Sequence, residues 1–268
     1  MQDDYGNVTL VNVSGIYDEQ PLFIDKLKKG GAGVIDAVSM TGTNGYCDDM
    51  AKENFCEMMK EYPTKGIHFI DGGNYHYLTL LWLSLIEEPF DLIVFDNHSD
   101  MQKPAFGDVL SCGGWIRNLV EDSGFKGKVT VVGVDKDNID KEMKELGVKF
   151  ITKQTILKKR GQQYGLENEL IDKCWTGKRP VYISVDKDVL DEKEYKTNWN
   201  QGIMSVDELF AIIEDTFEMR KVIGMDICGE MDEAVNSEFG SIYNEINQAV
   251  NMLSLIHISE PTRLRCIS

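Results

Sequence analysis

The feature that most constrains this chain is an alternation. Short β-rich apolar runs, VTLVNV, GVIDAV, IHFID, DLIVFD, KVTVVGV, VKFIT, PVYISVD and KVIGMDI, are separated by longer stretches of helical spacing. This order predicts an α/β fold: a three-layer α/β/α arrangement around a mainly parallel sheet, with helices on both faces. The runs are apolar nearly throughout, as strands covered on both sides must be. Helix limits are also marked. DDMAKENFCEMMKEY stops at Pro63 and YHYLTLLWLSLIEE at Pro89, because proline lacks the donor a helix needs. NIDKEMKELG closes on Gly147, suited to a C′ position. SVDELFAIIEDTFEM opens with Ser205 and has Glu208 three places on, a capping box. No Pro/Gly/Ser-rich linker divides the chain, so residues 1–252 read as a single domain.

Charge narrows the partners. The net charge of −17 over 268 residues repels phosphate, which excludes electrostatic binding to nucleic acid or anionic membrane. It suits a chain that gathers carboxylates around cations. The opening MQDDYGNVTLVN has no signal-peptide pattern. The longest apolar stretch, YLTLLWLSLI, falls far short of the ~20 residues that span a bilayer. The 6 cysteines show no C-x-x-C pair and read as free thiols in a reducing, cytoplasmic setting. Leu253 to Arg263, LSLIHISEPTR, looks like a translated sequencing adapter. Residues 253–268 are therefore set apart as an artefactual tail, and the domain is expected to break off near Met252.

Open parallel sheets build their sites beyond the carboxyl ends of the strands. After DLIVF comes Asp96-Asn97-His98-Ser99-Asp100. In extended backbone Asp96, His98 and Asp100 project to one side, a metal half-site. After PVYISV come Asp186 and Asp188 on one side, with Lys187 turned the other way. After IHFID come two glycines, Asn74 as a candidate N-cap, Tyr75, and His76 in the first helical turn. His68, inside a strand, reads as structural. The tetrapeptide VDKD occurs twice, at Val134–Asp137 and Val185–Asp188. Four aspartates and two histidines exceed what one ion needs and suit two ions sharing bridging carboxylates. Oxygen-rich ligation with imidazole fits Mn²⁺ better than structural zinc. Such a pair can hold a bridging hydroxide as nucleophile at neutral pH.

From Ile67 to Asn251 the chain resembles the ureohydrolases: arginase, agmatinase, formimidoylglutamase and relatives. Their motifs GGDHS, DAHxD and SxDxDxxD read here as GGNYH, DNHSD and SVDKDVLD, in the same order. The resemblance implies an arginase-like fold and two Mn²⁺ per chain. His76 and Asp100 would hold one ion and His98 and Asp188 the other, with Asp96 and Asp186 bridging. Asp100 would also orient the hydroxide. The implied substrate is a small cation with a guanidino or formimino carbon. The segment around the first VDKD resembles a substrate loop, which makes Asp137 a rim residue. Family members are often oligomers, so a homo-oligomer is a further expectation.

Four departures bear on that reading. The histidine of GGNYH comes one place late, so His76 serves only if the turn has gained a residue. Cys112 stands where the family often has a proton-relay histidine; it is either a thiol proton carrier or a small packed residue. In DICGE, Gly229 occupies the place of the family's substrate-holding glutamate, and Glu230, one later, is the carboxylate left to hold substrate. Trp199, in the short loop KTNWNQG, is either a rim residue over the substrate or packing. Two other readings stay open: a metal-binding pseudoenzyme or sensor, and a single-zinc amide deacylase of related architecture.

Overall fold

The computed structural model describes residues 5–104, 107–161, 170, 174, 176–231 and 248–252. Every candidate strand forms. They are β1 (Val8–Asn12), β2 (Gly33–Asp36), β4 (Ile67–Phe69), β5 (Asp91–Phe95), β7 (Val129–Val132), β8 (Lys149–Ile151), β9 (Val181–Asp186) and β10 (Val222–Cys228). Together they make an 8-stranded sheet in the order β2-β1-β4-β10-β9-β5-β7-β8. All its neighbours pair in parallel. A second sheet, β3 (Tyr46–Cys47) against β6 (Leu110–Ser111), is antiparallel. It was not foreseen, since two-residue strands carry no readable period.

Helices cover both faces. On one lie α1 (Pro21–Lys29), α6 (Lys153–Lys159) and α7 (Val206–Met219), which pack Phe23, Ile156 and Ile213 against Ile93, Phe95 and Ile183. On the other lie α2 (Asp49–Met59), α3 (Leu78–Ser84), α4 (Trp115–Glu121) and α5 (Lys141–Glu145), which pack Phe55, Trp82 and Trp115 against Leu92, Val94 and Tyr182. Adjacent strand residues thus feed opposite cores, which is why the strands could not alternate polar with apolar.

The local signals mostly hold. Ser205 accepts from Glu208 N at 3.1 Å while Glu208 accepts from Ser205 N at 3.0 Å, the reciprocal pair of a capping box. Gly147 follows α5 with φ of 85°, the left-handed turn a C′ glycine permits. Asn74 does not cap a helix. Gly73–Tyr75 form a 3-10 turn and α3 begins only at Leu78, so His76 sits at the junction between them. His68 is structural as expected: it stacks on Trp82 at 3.9 Å and bonds Tyr182 Oη and the Pro63 carbonyl, each at 3.0 Å. Burial lowers its pKa to about 4, so the ring is neutral. Among the described residues no helix is long and apolar enough to cross a membrane. Residues 253–268, the suspected tail, lie outside the described residues.

Candidate metal centre

The four central strands, β4, β10, β9 and β5, end at one level. Register pairs Cys228 with Asp186 and Phe95 with Val185, and Gly72 bridges to Glu230. Asp71 locks the β4 end in place. Its carboxylate accepts from Val13 N at 2.7 Å, Ser14 N at 2.9 Å, Ser14 Oγ at 2.7 Å and Gly72 N at 2.6 Å. Its carbonyl accepts from Gly229 N and Glu230 N at 2.9 and 3.1 Å. These bonds offset its left-handed φ of 72°. The turn that carries His76 therefore starts from a fixed point.

The aspartates and histidines do converge, but through turns rather than strand alternation. Strand β5 stops at Phe95. The Asp96 carboxylate then accepts from His98 N at 2.5 Å, and Asp100 takes a left-handed φ of 48°. Strand β9 stops at Asp186, whose carboxylate accepts from Asp188 N at 2.9 Å. Aspartate suits both roles, because its short side chain bonds the backbone two residues on and tolerates left-handed geometry.

In the resulting cluster His76 and the four aspartates are buried, while the His98 side chain is 29% exposed. His76 Nδ1 lies 3.3 Å from Asp96 Oδ2, 3.0 Å from Asp100 Oδ2 and 3.6 Å from Asp186 Oδ2. His98 Nδ1 lies 2.8 Å from Asp188 Oδ2 and 3.6 Å from Asp96 Oδ1. Asp96 thus turns one oxygen toward each imidazole. Despite these approaches, His76 Nδ1, Asp96 Oδ2 and Asp188 Oδ2 are buried without a hydrogen-bond partner. Buried polar atoms are rarely left so unless an ion or water belongs there. Two ligands about 2.1 Å from an ion and at right angles to each other stand about 3 Å apart, close to the spacing found.

The titration behaviour agrees. Burial, with the neighbouring Asp96 charge, pushes Asp100 up to about 7. Burial and the charges of Asp186 and Asp96 raise Asp188 well above the usual carboxylate range, and burial raises Asp186. Asp96 alone is held low: burial would raise it, but His76 and His98 outweigh that. Burial would lower His98, yet Asp188 and Asp96 lift it to about 11. Four largely buried carboxylates face two imidazoles, an excess of carboxylates that divalent cations would relieve.

The tautomer of His76 is set from behind. Ser184 Oγ donates to Asp226 Oδ1 at 2.6 Å and so accepts from His76 Nε2 at 2.9 Å. Nδ1 is then the nitrogen that faces the cluster, and the one that would be offered to an ion. Asp100 Oδ2 in turn accepts from Trp115 Nε1 at 2.7 Å. Trp115 was not singled out from sequence, and Asp226 stood only as the leading residue of DICGE. Ser184 had a signal, the leading serine of SVDKDVLD. Cys228 was also missed; with His76 and Asp186 it offers ligand atoms within 4.8 Å of one another. Replacing Ser184 by alanine is expected to weaken metal binding by roughly 10–100-fold, the usual cost of losing such a partner. Calorimetric titration of the metal-free protein with Mn²⁺ would measure it.

The remaining candidates separate. Cys112 and Trp199 line a cavity of about 290 Å³ above the cluster. Burial and the Asp100 charge push the Cys112 thiol up to about 12, so it stays protonated at neutral pH. The Trp199 ring meets His98 edge-on at 5.6 Å, and its Nε1 donates to Asn74 Oδ1 at 3.1 Å. Asp137 is exposed and outside this cavity. Its VDKD copy makes the same turn as the second, with Asp135 accepting from Asp137 N at 2.9 Å. It stands beyond β7 at the side of the sheet, not at its centre.

The structure does not bring Glu230 to the cavity either, which corrects its expected substrate-facing place. It is buried behind the site, paired with Lys187 and bonded by Gln20 Nε2 at 2.9 Å and Asn251 Nδ2 at 2.7 Å. Gly229, in the glutamate's expected place, has φ of 95°, and a Cβ there would meet Asp186 Oδ1 at 2.6 Å. No glutamate fits that position, and the next residue points elsewhere.

Comparison with known proteins agrees with this architecture. The model of the Arginase family matches residues 46–232. An uncharacterized protein of Thermotoga maritima is 30% identical over 227 residues, covering 84% of this chain and 80% of that one. The Bacillus subtilis formimidoylglutamase structure superposes with a TM-score of 0.66 at 16% identity, covering 93% of this chain and 86% of that one. The Trypanosoma cruzi formiminoglutamase structure with Mn²⁺ gives 0.64 at 14% identity, covering 94% and 93%. At such identities the two structures speak for the fold, and the family model and the Thermotoga relative speak for descent. The chain belongs to the arginase family.

Proposed function

We propose that this protein is a two-metal hydrolase of a linear amidine, with Mn²⁺ as the metal. The observation that carries this reading is the split carriage of Asp96: one oxygen faces His76 and the other His98, among buried atoms that lack partners. His76 and Asp100 would hold one ion and His98 and Asp188 the other, with Asp96 and Asp186 shared. When bound, the ions supply hydroxide at neutral pH and polarise the carbon under attack. Water adds to the guanidino or formimino carbon, the bond to the alkyl nitrogen breaks, and a proton passes to that nitrogen. The products are an amine and urea, or an amine and formamide.

The chain's own groups orient these events. Asp100, fixed by Trp115, directs the attacking oxygen. Trp199 closes the rim beside His98. Cys112 forms the wall, and its protonated thiol is a weak proton donor for the leaving amine.

Full-length protein loaded with Mn²⁺ should hold two ions by elemental analysis and turn over a member of a guanidino and formimino panel. One observation favours a second reading, that of a metal-binding sensor: the relay place holds a thiol rather than an imidazole. Two ions bound without release of urea, ammonia or formamide from any panel member would decide for the sensor. A single bound zinc would point to a deacylase instead.

A further inference from the structure

The ladder between β9 and β10 presents two successive rungs to His76. Register pairs Asp226 with Ser184 and, two residues nearer the strand ends, Cys228 with Asp186. Residues paired across a ladder share a face of the sheet, as do residues two apart on a strand. All four side chains therefore stand on one face, and the two rungs meet different nitrogens of the imidazole. Ser184, backed by Asp226, takes Nε2 at 2.9 Å. Asp186 Oδ2 stands 3.6 Å from Nδ1. Cys228, level with Asp186, is on the Nδ1 side of the ring, where an ion would sit.

The sulfur is within reach of that ion. His76, Asp186 and Cys228 each offer one ligand atom, and these atoms lie within 4.8 Å of one another. Donors about 2.0–2.3 Å from a shared ion stand at most about 4.6 Å apart, a spacing the three meet or approach. Cys228 is fully buried and its thiol is free, and the Nδ1 of His76 is buried with no hydrogen-bond partner. A buried thiol among apolar groups alone would serve as a small hydrophobe. Here its neighbours include a carboxylate and an imidazole of the metal centre. Its place is also fixed, because β10 ends at Cys228 and the next amide, Gly229 N, donates to the Asp71 carbonyl at 2.9 Å.

We infer that Cys228 is a ligand of the ion beside His76, which makes that position a mixed nitrogen, oxygen and sulfur site while the His98 position has nitrogen and oxygen alone. The inference rests on the two-metal reading and makes its two positions unlike. On binding, a sulfur lone pair joins the ion and the thiol proton leaves to solvent. Thiolate favours softer ions such as Zn²⁺ and Co²⁺ over Mn²⁺. Mn²⁺ can fill both positions, but a softer ion competes best for the one beside His76.

The test reads the metal rather than turnover. Metal-free full-length protein is titrated with Co²⁺ while its absorption spectrum is recorded. A sulfur-to-cobalt charge-transfer band in the near ultraviolet is expected in the parent. It should persist in Cys112→Ser, whose thiol lines the cavity instead, and vanish in Cys228→Ser and Cys228→Ala. Calorimetry should show Zn²⁺ affinity falling about tenfold or more in Cys228→Ala, since even partners one step removed from a metal cost that much. Mn²⁺ affinity should change less. A parent that binds Co²⁺ without the band, or a band that survives in the Cys228 variants, overturns the inference and leaves the two-metal reading standing. A parent that binds no Co²⁺ overturns both. Should both Cys228 variants fail to fold, Cys112→Ser decides, because Cys228 is the described thiol that groups with metal-binding atoms. A band retained there upholds the inference, and a band lost there assigns the sulfur to Cys112 and overturns it.

Discussion

Asp96→Asn is expected to take the protein from two bound Mn²⁺ to one or none and to lower kcat by roughly a thousandfold or more, because paired metals bring the pKa of water from about 15.7 to about 7. The substitution replaces one oxygen by an NH₂ group of the same size. That group can no longer serve both imidazoles, since Asp96 now presents one oxygen to each. Its backbone bond to His98 N, at 2.5 Å, survives if the remaining oxygen keeps that place. The ion nearer His76 is then the one lost. Elemental analysis after dialysis would count the ions, and thermal melting of the metal-free variant would show that the fold persists. A variant that keeps two ions and near-native turnover would remove Asp96 from the centre and with it the proposed reaction.

How much of this could be read from the chain alone depends on the range of each interaction. The strands of the main sheet were legible because burial on both faces forces an apolar run, and glycine, proline and capping residues mark its ends. The candidate ligands were legible because each stands within a few residues of such an end. The reason they converge was not. Asp96 and Asp186 fold back on the amides of His98 and Asp188, and alternation in extended backbone gives the same residues by another geometry. Ser184, Asp226 and Trp115 act on ligands that lie far from them in sequence, so no local pattern pairs them. The same holds for the two copies of VDKD. Both fold into the same Asx turn. Sheet order, a property of the whole chain, makes one a buried centre and the other an exposed corner.

Glu230 is where local reading went furthest astray, and its partner supplies the second large prediction. Lys187 lies between Asp186 and Asp188 but points behind them, where its ammonium meets Glu230 and donates to Asn251 Oδ1 at 3.1 Å. It also sits 4.7 Å from the centre of the Tyr195 ring. Asn251 and Gln20 complete the enclosure, bonded to each other at 2.9 Å. Lys187 and Glu230 have side-chain exposures of 2% and 0%. Lys187→Met leaves a buried carboxylate facing neutral donors alone, which typically costs about 3–5 kcal/mol. In a domain of this size that lowers Tm by about 10 °C. Lys187→Met with Glu230→Met removes both charges and is expected to recover most of the loss, since an ion pair replaced by apolar groups of similar volume is often neutral. The single variant should also bind Mn²⁺ more weakly than the double one, because the turn carrying Asp186 and Asp188 is tethered through Lys187. Melting curves and calorimetry on both variants separate these effects. If the single variant melts like the parent, the pair does not hold the turn, and Glu230 is free to serve elsewhere.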